Sequence, residues 1–180
     1  MKRLILVEDT YGVTFHRTLI NKLIELCESR KLKIESLCEN IRTHKPRIRR
    51  LPAKKCNPAM ANHARAIVAG SPWRILVVID SEGKPDAPDY FVRRHFRRDE
   101  LDYIRVVTVE PMHEAWLCIG LGGDRRICRR DPVQAIQRLL NSYYEKRMLA
   151  KLAPRIDVKI LIGERDFDKY LDCLRWLTSP

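Results

Sequence analysis

Apolar residues gather into short runs, and three of these runs stop on an acid. Leu4-Ile5-Leu6-Val7 ends at Glu8-Asp9, Ile75-Leu76-Val77-Val78-Ile79 ends at Asp80-Ser81-Glu82-Gly83, and Ile104-Arg105-Val106-Val107-Thr108-Val109 ends at Glu110. Runs of this length, rich in β-branched types, predict strands buried on both faces, as in a parallel sheet. Between them the pattern changes to helical spacing. Phe15, Leu19, Leu23, Leu26 and Cys27 predict a helix capped by Thr14 and running to Arg30. Strand, acid, short loop and helix open a βαβ unit.

Leu32, Ile34, Ser36 and Cys38 alternate with polar residues, which predicts a further edge strand over 32–38. From Ile41 to Ile79 there is no Asp or Glu, and seven Lys or Arg fall between Arg42 and Lys55. Pro46 and Pro52 argue against a regular element there, so the stretch is expected to be an extended basic loop. A helix is expected from Asn57 to Val68 with Pro58 at its first position. Another is expected from Asp89 to Phe96, and another after Pro111 containing Glu114, Trp116 and Leu117. Gly120-Leu121-Gly122-Gly123-Asp124 departs from GxGxxG and lacks the Walker Lys-Ser/Thr, so it is taken as a turn. Asp131-Pro132 is a cap with proline at N1 and predicts a helix over 133–142. A helical piece follows Tyr143-Tyr144-Glu145-Lys146. Ile156-Asp157 caps a short helix to Ile162, and Phe167, Tyr170, Leu171, Leu174 and Leu177 mark a final amphipathic one. The expectation is one α/β domain over 1–180, a mostly parallel sheet flanked by helices. The α/β core covers 1–124 and a helical C-terminal region 125–180.

Composition sharpens this picture in two ways. The net charge of +12 is large for 180 residues, and nucleic acid is the commonest partner of so basic a chain. The alternative is a basic surface with no polyanion ligand. The cysteines at 27, 38, 56, 118, 128 and 173 form no CxxC pair, which argues against zinc. They are expected to be reduced, small apolar residues of a cytoplasmic protein. The run after Met1 is cut short by Glu8, so no signal peptide is expected. No stretch approaches the roughly 20 apolar residues of a membrane span.

The strand-end acids are the candidate chemistry. Parallel strands joined by helical crossovers place all their C-terminal ends at one edge. Neighbouring strands lie about 4.8 Å apart, so Glu8, Asp80 and Glu82 are expected to converge. Clustered carboxylates repel unless neutralised, and a hard cation such as Mg²⁺ or Mn²⁺ neutralises them while keeping waters that a phosphate oxygen can replace. The alternative is that each acid caps the loop or helix that follows it. His113-Glu114 lacks the second histidine of HExxH, which excludes a zincin by motif. A structural hydrogen bond is the expected role of His113, with proton donation beside the acids as the other reading.

Val7-Glu8 after an apolar strand, followed by Val78-Ile79-Asp80-Ser81-Glu82-Gly83, resembles the Toprim domain of topoisomerases, primases and small nucleases, with its first-strand glutamate and later DxD. Val109-Glu110-Pro111-Met112-His113-Glu114-Ala115-Trp116-Leu117 resembles the acidic segment of the Toprim-related DUF4276 family, as do Tyr144-x-Lys146, Ile156-Asp157 and Phe167–Leu174. The resemblance implies a Toprim/Rossmann-like fold. It implies Glu8 as metal ligand or general acid/base, Asp80 and Glu82 as Mg²⁺ ligands, Glu110 and Glu114 as aids to a second metal, and Lys146 as the basic group at the phosphorane. Two positions depart from the pattern: Glu82 replaces the second aspartate and Asp9 the usual glycine.

The expected function is therefore a Mg²⁺-dependent nuclease or other phosphodiester-processing protein. Arg42, Lys45, Arg47, Arg49, Arg50, Lys54, Lys55, Arg93, Arg94, Arg97, Arg98, Arg125, Arg126, Arg129 and Arg130 are the expected contacts to a nucleic-acid backbone. The alternative is a non-catalytic nucleic-acid-binding or defence-system accessory protein on the same fold. A small-molecule phosphohydrolase is a third class, against which the missing phosphate loop counts.

Overall fold

The structure, a computed structural model, describes residues 2–32, 34–51, 62, 66, 73–84 and 87–180. Three of the four strands among the described residues are the apolar runs. β1 spans Lys2–Val7, and α1 (Thr10–Glu28), α2 (Glu35–Thr43) and β2 (Arg47–Arg50) follow. β3 spans Trp73–Asp80, α3 Ala87–His95 and β4 Ile104–Val109, with a 3₁₀ turn at Arg98–Asp102 before β4. The C-terminal helices are α4 (His113–Gly120), α5 (Arg125–Arg130), α6 (Pro132–Leu140), α7 (Met148–Leu152), α8 (Val158–Leu161) and α9 (Arg165–Thr178).

All four described strands are parallel, in the order β2-β1-β3-β4. The fold is α/β, with helices flanking a parallel sheet. From β1 the chain steps outward to β2, then returns to the other side of β1 as β3. The order therefore reverses between β1 and β3, and the crevice beyond the C-terminal ends of those two strands is the ligand position such sheets favour. Val7 pairs with Val78, so the residues after Val7 meet Ile79 and Asp80 at that reversal.

The period-2 pattern within the runs sorts two cores. Ile5, Val7, Leu76, Val78, Val107 and Val109 face a large cluster with Phe15, Trp116, Phe167 and Tyr170. Leu4, Leu6, Ile75, Val77 and Ile79 face a smaller one with Phe91 and Phe96. α9 belongs to the large core and is tied to the opposite edge by arginines. Arg3 Nε donates to Leu177 O at 3.0 Å, and Arg74 Nη1 donates to Trp176 O at 2.9 Å.

Several expectations are corrected. α1 is capped by Asp9, not Thr14, because Asp9 Oδ1 accepts the Gly12 N–H at 2.6 Å and starts the helix a turn earlier. The expected strand over 32–38 gives way to α2, because Leu37 and Ile41, four apart, bury one helical face. The edge strand is instead β2, inside the stretch taken as a basic loop. Pro46 precedes it and interrupts no ladder, and charged side chains suit an edge. Lys54, Lys55 and the helix expected from Asn57 to Val68 lie outside the described residues, except that 62 and 66 are helical. Cysteines expected to be reduced are paired as Cys27–Cys38 and Cys118–Cys128. Each pair bridges consecutive helices, whose packing brings together positions that chain spacing does not relate.

Candidate functional site

Glu8 and Asp9 follow β1 directly, and Asp80 is the last residue of β3. Glu8 Oε1 accepts the Asp80 backbone N–H at 2.8 Å, which clamps the two strand ends together. Asp80 Oδ1 accepts from the His113 backbone N–H at 2.8 Å and meets His113 Nδ1 at 2.5 Å. His113 is the first residue of α4, so the helix start docks on the end of β3. Glu114 follows and is buried; its carboxylate accepts from Tyr144 OH at 3.1 Å and from Lys146 Nζ at 3.0 Å.

Lys146 is the centre of the arrangement. Its Nζ lies 3.0 Å from Glu114, 3.8 Å from Asp9 Oδ2 and 3.9 Å from Asp80 Oδ2. The sheet and α4 supply the acids, and the link between α6 and α7 supplies the cation. Burial alone would raise the Asp80 pKa. The His113 charge and hydrogen bond, with help from Lys146, outweigh it and hold the carboxyl at about 2. Burial likewise opposes the charge on Lys146, but Glu114 and Asp80 prevail and raise its pKa. Burial pulls on His113 in the same sense, and Asp80 overcomes it and raises the imidazole. His16, fully buried behind His113, is pushed well below the ordinary histidine value, by desolvation first and by His113 second.

Of the acids expected to act together, Glu8, Asp80 and Glu114 gather here, and Asp9 joins them. Glu82 is exposed, in a left-handed turn with φ of 52°. Glu110 lines a separate hollow of about 680 Å³ with Lys84, Arg165 and Lys169. Its backbone is fixed by Asp166, whose Oδ2 accepts the Glu110 N–H at 2.9 Å and the Trp116 Nε1–H at 2.9 Å. Among the described residues no three acidic, imidazole or thiol groups form a ready cage for a metal ion. The donor set nevertheless fits a hard cation: it is made of carboxylate oxygens, and three of them already surround one positive charge.

The basic residues fall into distinct groups. Arg47, Arg49 and Arg50 are exposed on the edge strand, and Arg50 pairs in register with Val7, one residue from Glu8. Arg93, Arg94, Arg97 and Arg98 are exposed on α3 and just beyond it, with Arg94 stacked 5.8 Å over the Tyr90 ring. Arg42 pairs with Glu28 at 3.6 Å, and Lys45 donates to Asn21 at 2.7 Å. Arg126 and Arg130 are exposed, whereas Arg125 pairs with Glu164 at 2.8 Å. Arg129 is committed inward, bridging Asp166 at 2.6 Å and Glu164 at 2.8 Å. Those pairs, which hold α5 against the start of α9, occupy the guanidinium that was expected to contact phosphate.

Sequence reasoning missed Asp9, Tyr144, Tyr170 and the joining of His16 to the acids. The available signal was polar groups within apolar stripes: His16 beside Phe15 and Leu19, and Tyr170 between Phe167 and Leu174. No protein-family model, curated protein or solved structure matches the chain.

Proposed function

We propose that the protein processes phosphodiesters of nucleic acid with a divalent cation, Mg²⁺ or Mn²⁺, at the C-terminal ends of β1 and β3. The observation that carries this reading is the convergence of Asp9, Asp80 and Glu114 on one cationic position at the reversal of strand order, in a chain of net charge +12. The resemblance of Glu8 and of Asp80-Ser81-Glu82 to the Toprim pattern points the same way.

In this reading Asp80, Asp9 and Glu114 hold the metal ion, and Glu8 keeps the β1 and β3 ends in register through the Asp80 N–H. When bound, such an ion polarises a phosphoryl oxygen and lowers the pKa of a water. Lys146 neutralises the carboxylates in the free protein and is placed to turn its charge toward a phosphate oxygen when the cation arrives. Arg49 and Arg50, beside the end of β1, bind the nucleic-acid backbone, with affinity but no sequence preference. Glu82 and Glu110 stand outside this set. No helix among the described residues is long and apolar enough to cross a membrane.

Incubation of DNA and RNA with Mg²⁺ or Mn²⁺ tests the reading. Cleavage by wild type and none by Asp80→Ala supports it, and equal cleavage by both rejects it. One observation favours a second reading, a binding protein without turnover: Lys146 already fills the acidic position. That reading expects salt-sensitive nucleic-acid binding that is indifferent to Mg²⁺ and to Asp80→Ala.

A further inference from the structure

The two oxygens of Asp80 face different partners. Oδ2 stands 3.9 Å from Lys146 Nζ, while Oδ1 meets His113 Nδ1 at 2.5 Å. Behind His113 the contacts continue into the core. His113 Nε2 lies 2.8 Å from His16 Nε2, and His16 Nδ1 lies 2.9 Å from Tyr170 OH. Three elements contribute, α4, α1 and α9, and both His16 and Tyr170 are fully buried. The rings are wedged among aromatics. His16 and His113 meet edge to face at 5.0 Å between centroids, with Phe15 5.9 Å and Trp116 6.1 Å from His113.

With His113 neutral, elementary bookkeeping of donors fixes the direction of this chain. An ionised carboxylate only accepts, so His113 Nδ1 carries the proton it shares with Asp80. In the neutral ring Nε2 is then bare and accepts from His16 Nε2–H. His16 Nδ1 is bare in turn and accepts from the Tyr170 hydroxyl. Every polar atom along the line finds a partner of the opposite kind. The reverse direction would set a lone pair against the carboxylate at 2.5 Å. Two buried imidazoles are costly where an apolar ring would fill the space, and such a chain is tolerated only when fully connected.

We infer that Tyr170, His16 and His113 form an orienting relay that fixes the Asp80 carboxylate, holding Oδ1 inward and presenting Oδ2 to Lys146 and the strand-end crevice. The inference rests on the proposed role of Asp80 as a working carboxylate. His16 and Tyr170 are positioning residues that act through His113 and touch no substrate. The relay links α9 to a site built at the ends of the first and third strands.

Nitrogen-15 spectra of the imidazoles test this without metal or substrate. At alkaline pH, once the His113 signals no longer change with pH, wild type is expected to show His113 protonated at Nδ1 and bare at Nε2. His16 is expected to show the opposite tautomer. Tyr170→Phe removes one oxygen and keeps the ring. It is expected to shift the His113 tautomer ratio away from Nδ1–H by about fivefold, the equilibrium worth of one hydrogen bond. His16→Phe, an aromatic exchange within the same cluster, is expected to shift it further. His113 protonated at Nε2 in wild type, or a His113 signal unmoved by Tyr170→Phe, would overturn the relay. A wild type with the expected tautomers but no Mg²⁺-dependent cleavage refutes the proposed function and upholds the relay. Cleavage with the opposite tautomers does the reverse.

Discussion

Lys146→Met removes the ammonium that stands among Asp9, Asp80 and Glu114 while keeping most of the aliphatic stem. Breaking one partner out of a buried pair costs about 3–5 kcal/mol, because the remaining charge is left uncompensated. Glu114 is that remaining charge, with a side chain 3% exposed, but the Lys146 side chain is 39% exposed and already shares its charge with water. A loss of about 2 kcal/mol is therefore expected after this discount. For a chain of this size that lowers Tm by about 4–8 °C. The vacated position should then take a divalent cation. Mg²⁺ at about ten times its Kd returns about 1.4 kcal/mol by mass action. Thermal unfolding followed by circular dichroism, with MgCl₂ and with NaCl at matched ionic strength, reads both effects. A variant that melts with wild type would refute the account of Lys146 as the stabilising counter-charge. A destabilised variant that gains no more from Mg²⁺ than wild type would refute the claim that lysine and metal share one position.

The Asp80 carboxyl is depressed from 3.8 to about 2 on folding, so its share of stability is present above about pH 4 and lost as pH falls through 2. That share is about 2 kcal/mol, and Asp80→Asn is expected to flatten the urea-derived stability profile across this window. Asp166→Asn strips the charge from a buried acceptor that serves Arg129, Trp116 and the Glu110 N–H; a loss of about 3 kcal/mol in urea unfolding is expected, and a change within error would contradict the network. Gly120→Ala places a Cβ 2.5 Å from Ile156 Cγ2, so a cost of about 1–3 kcal/mol is expected from overpacking. Arg49→Ala with Arg50→Ala should flatten the log–log salt dependence of nucleic-acid binding by about two units, close to one per phosphate contact.

What the sequence discloses follows from how completely an element is buried. β1, β3 and β4 are legible because most of their positions are buried and apolar. β2 is hidden because its four residues include three exposed arginines, so it resembles a solvated loop. α2 is hidden because Leu32, Ile34 and Cys38 happen to alternate while Leu37 and Ile41 carry the helical face. In the candidate site, Glu8 and Asp80 are legible as strand-end acids, whereas Glu114 and Lys146 are reached only through the resemblance to the Toprim-related family. Glu82 and Glu110 show the limit of that logic: proximity to a strand end does not set the direction a chain takes after it. Glu82 leaves β3 through a left-handed turn, and Glu110 is drawn by Asp166 toward the other hollow. His16 and Tyr170 lie 154 residues apart and sit on apolar helix faces. Only the folded core turns these two positions into one hydrogen-bonded line.

Calorimetric titration of Mg²⁺ into the wild-type chain and into Asp80→Asn bears most directly on the strand-end cation site. Saturable binding by wild type, abolished or strongly weakened by Asp80→Asn, is the predicted result. No binding to wild type, or equal binding to both, would contradict the assignment of Asp9, Asp80 and Glu114 as the ligands of a divalent ion.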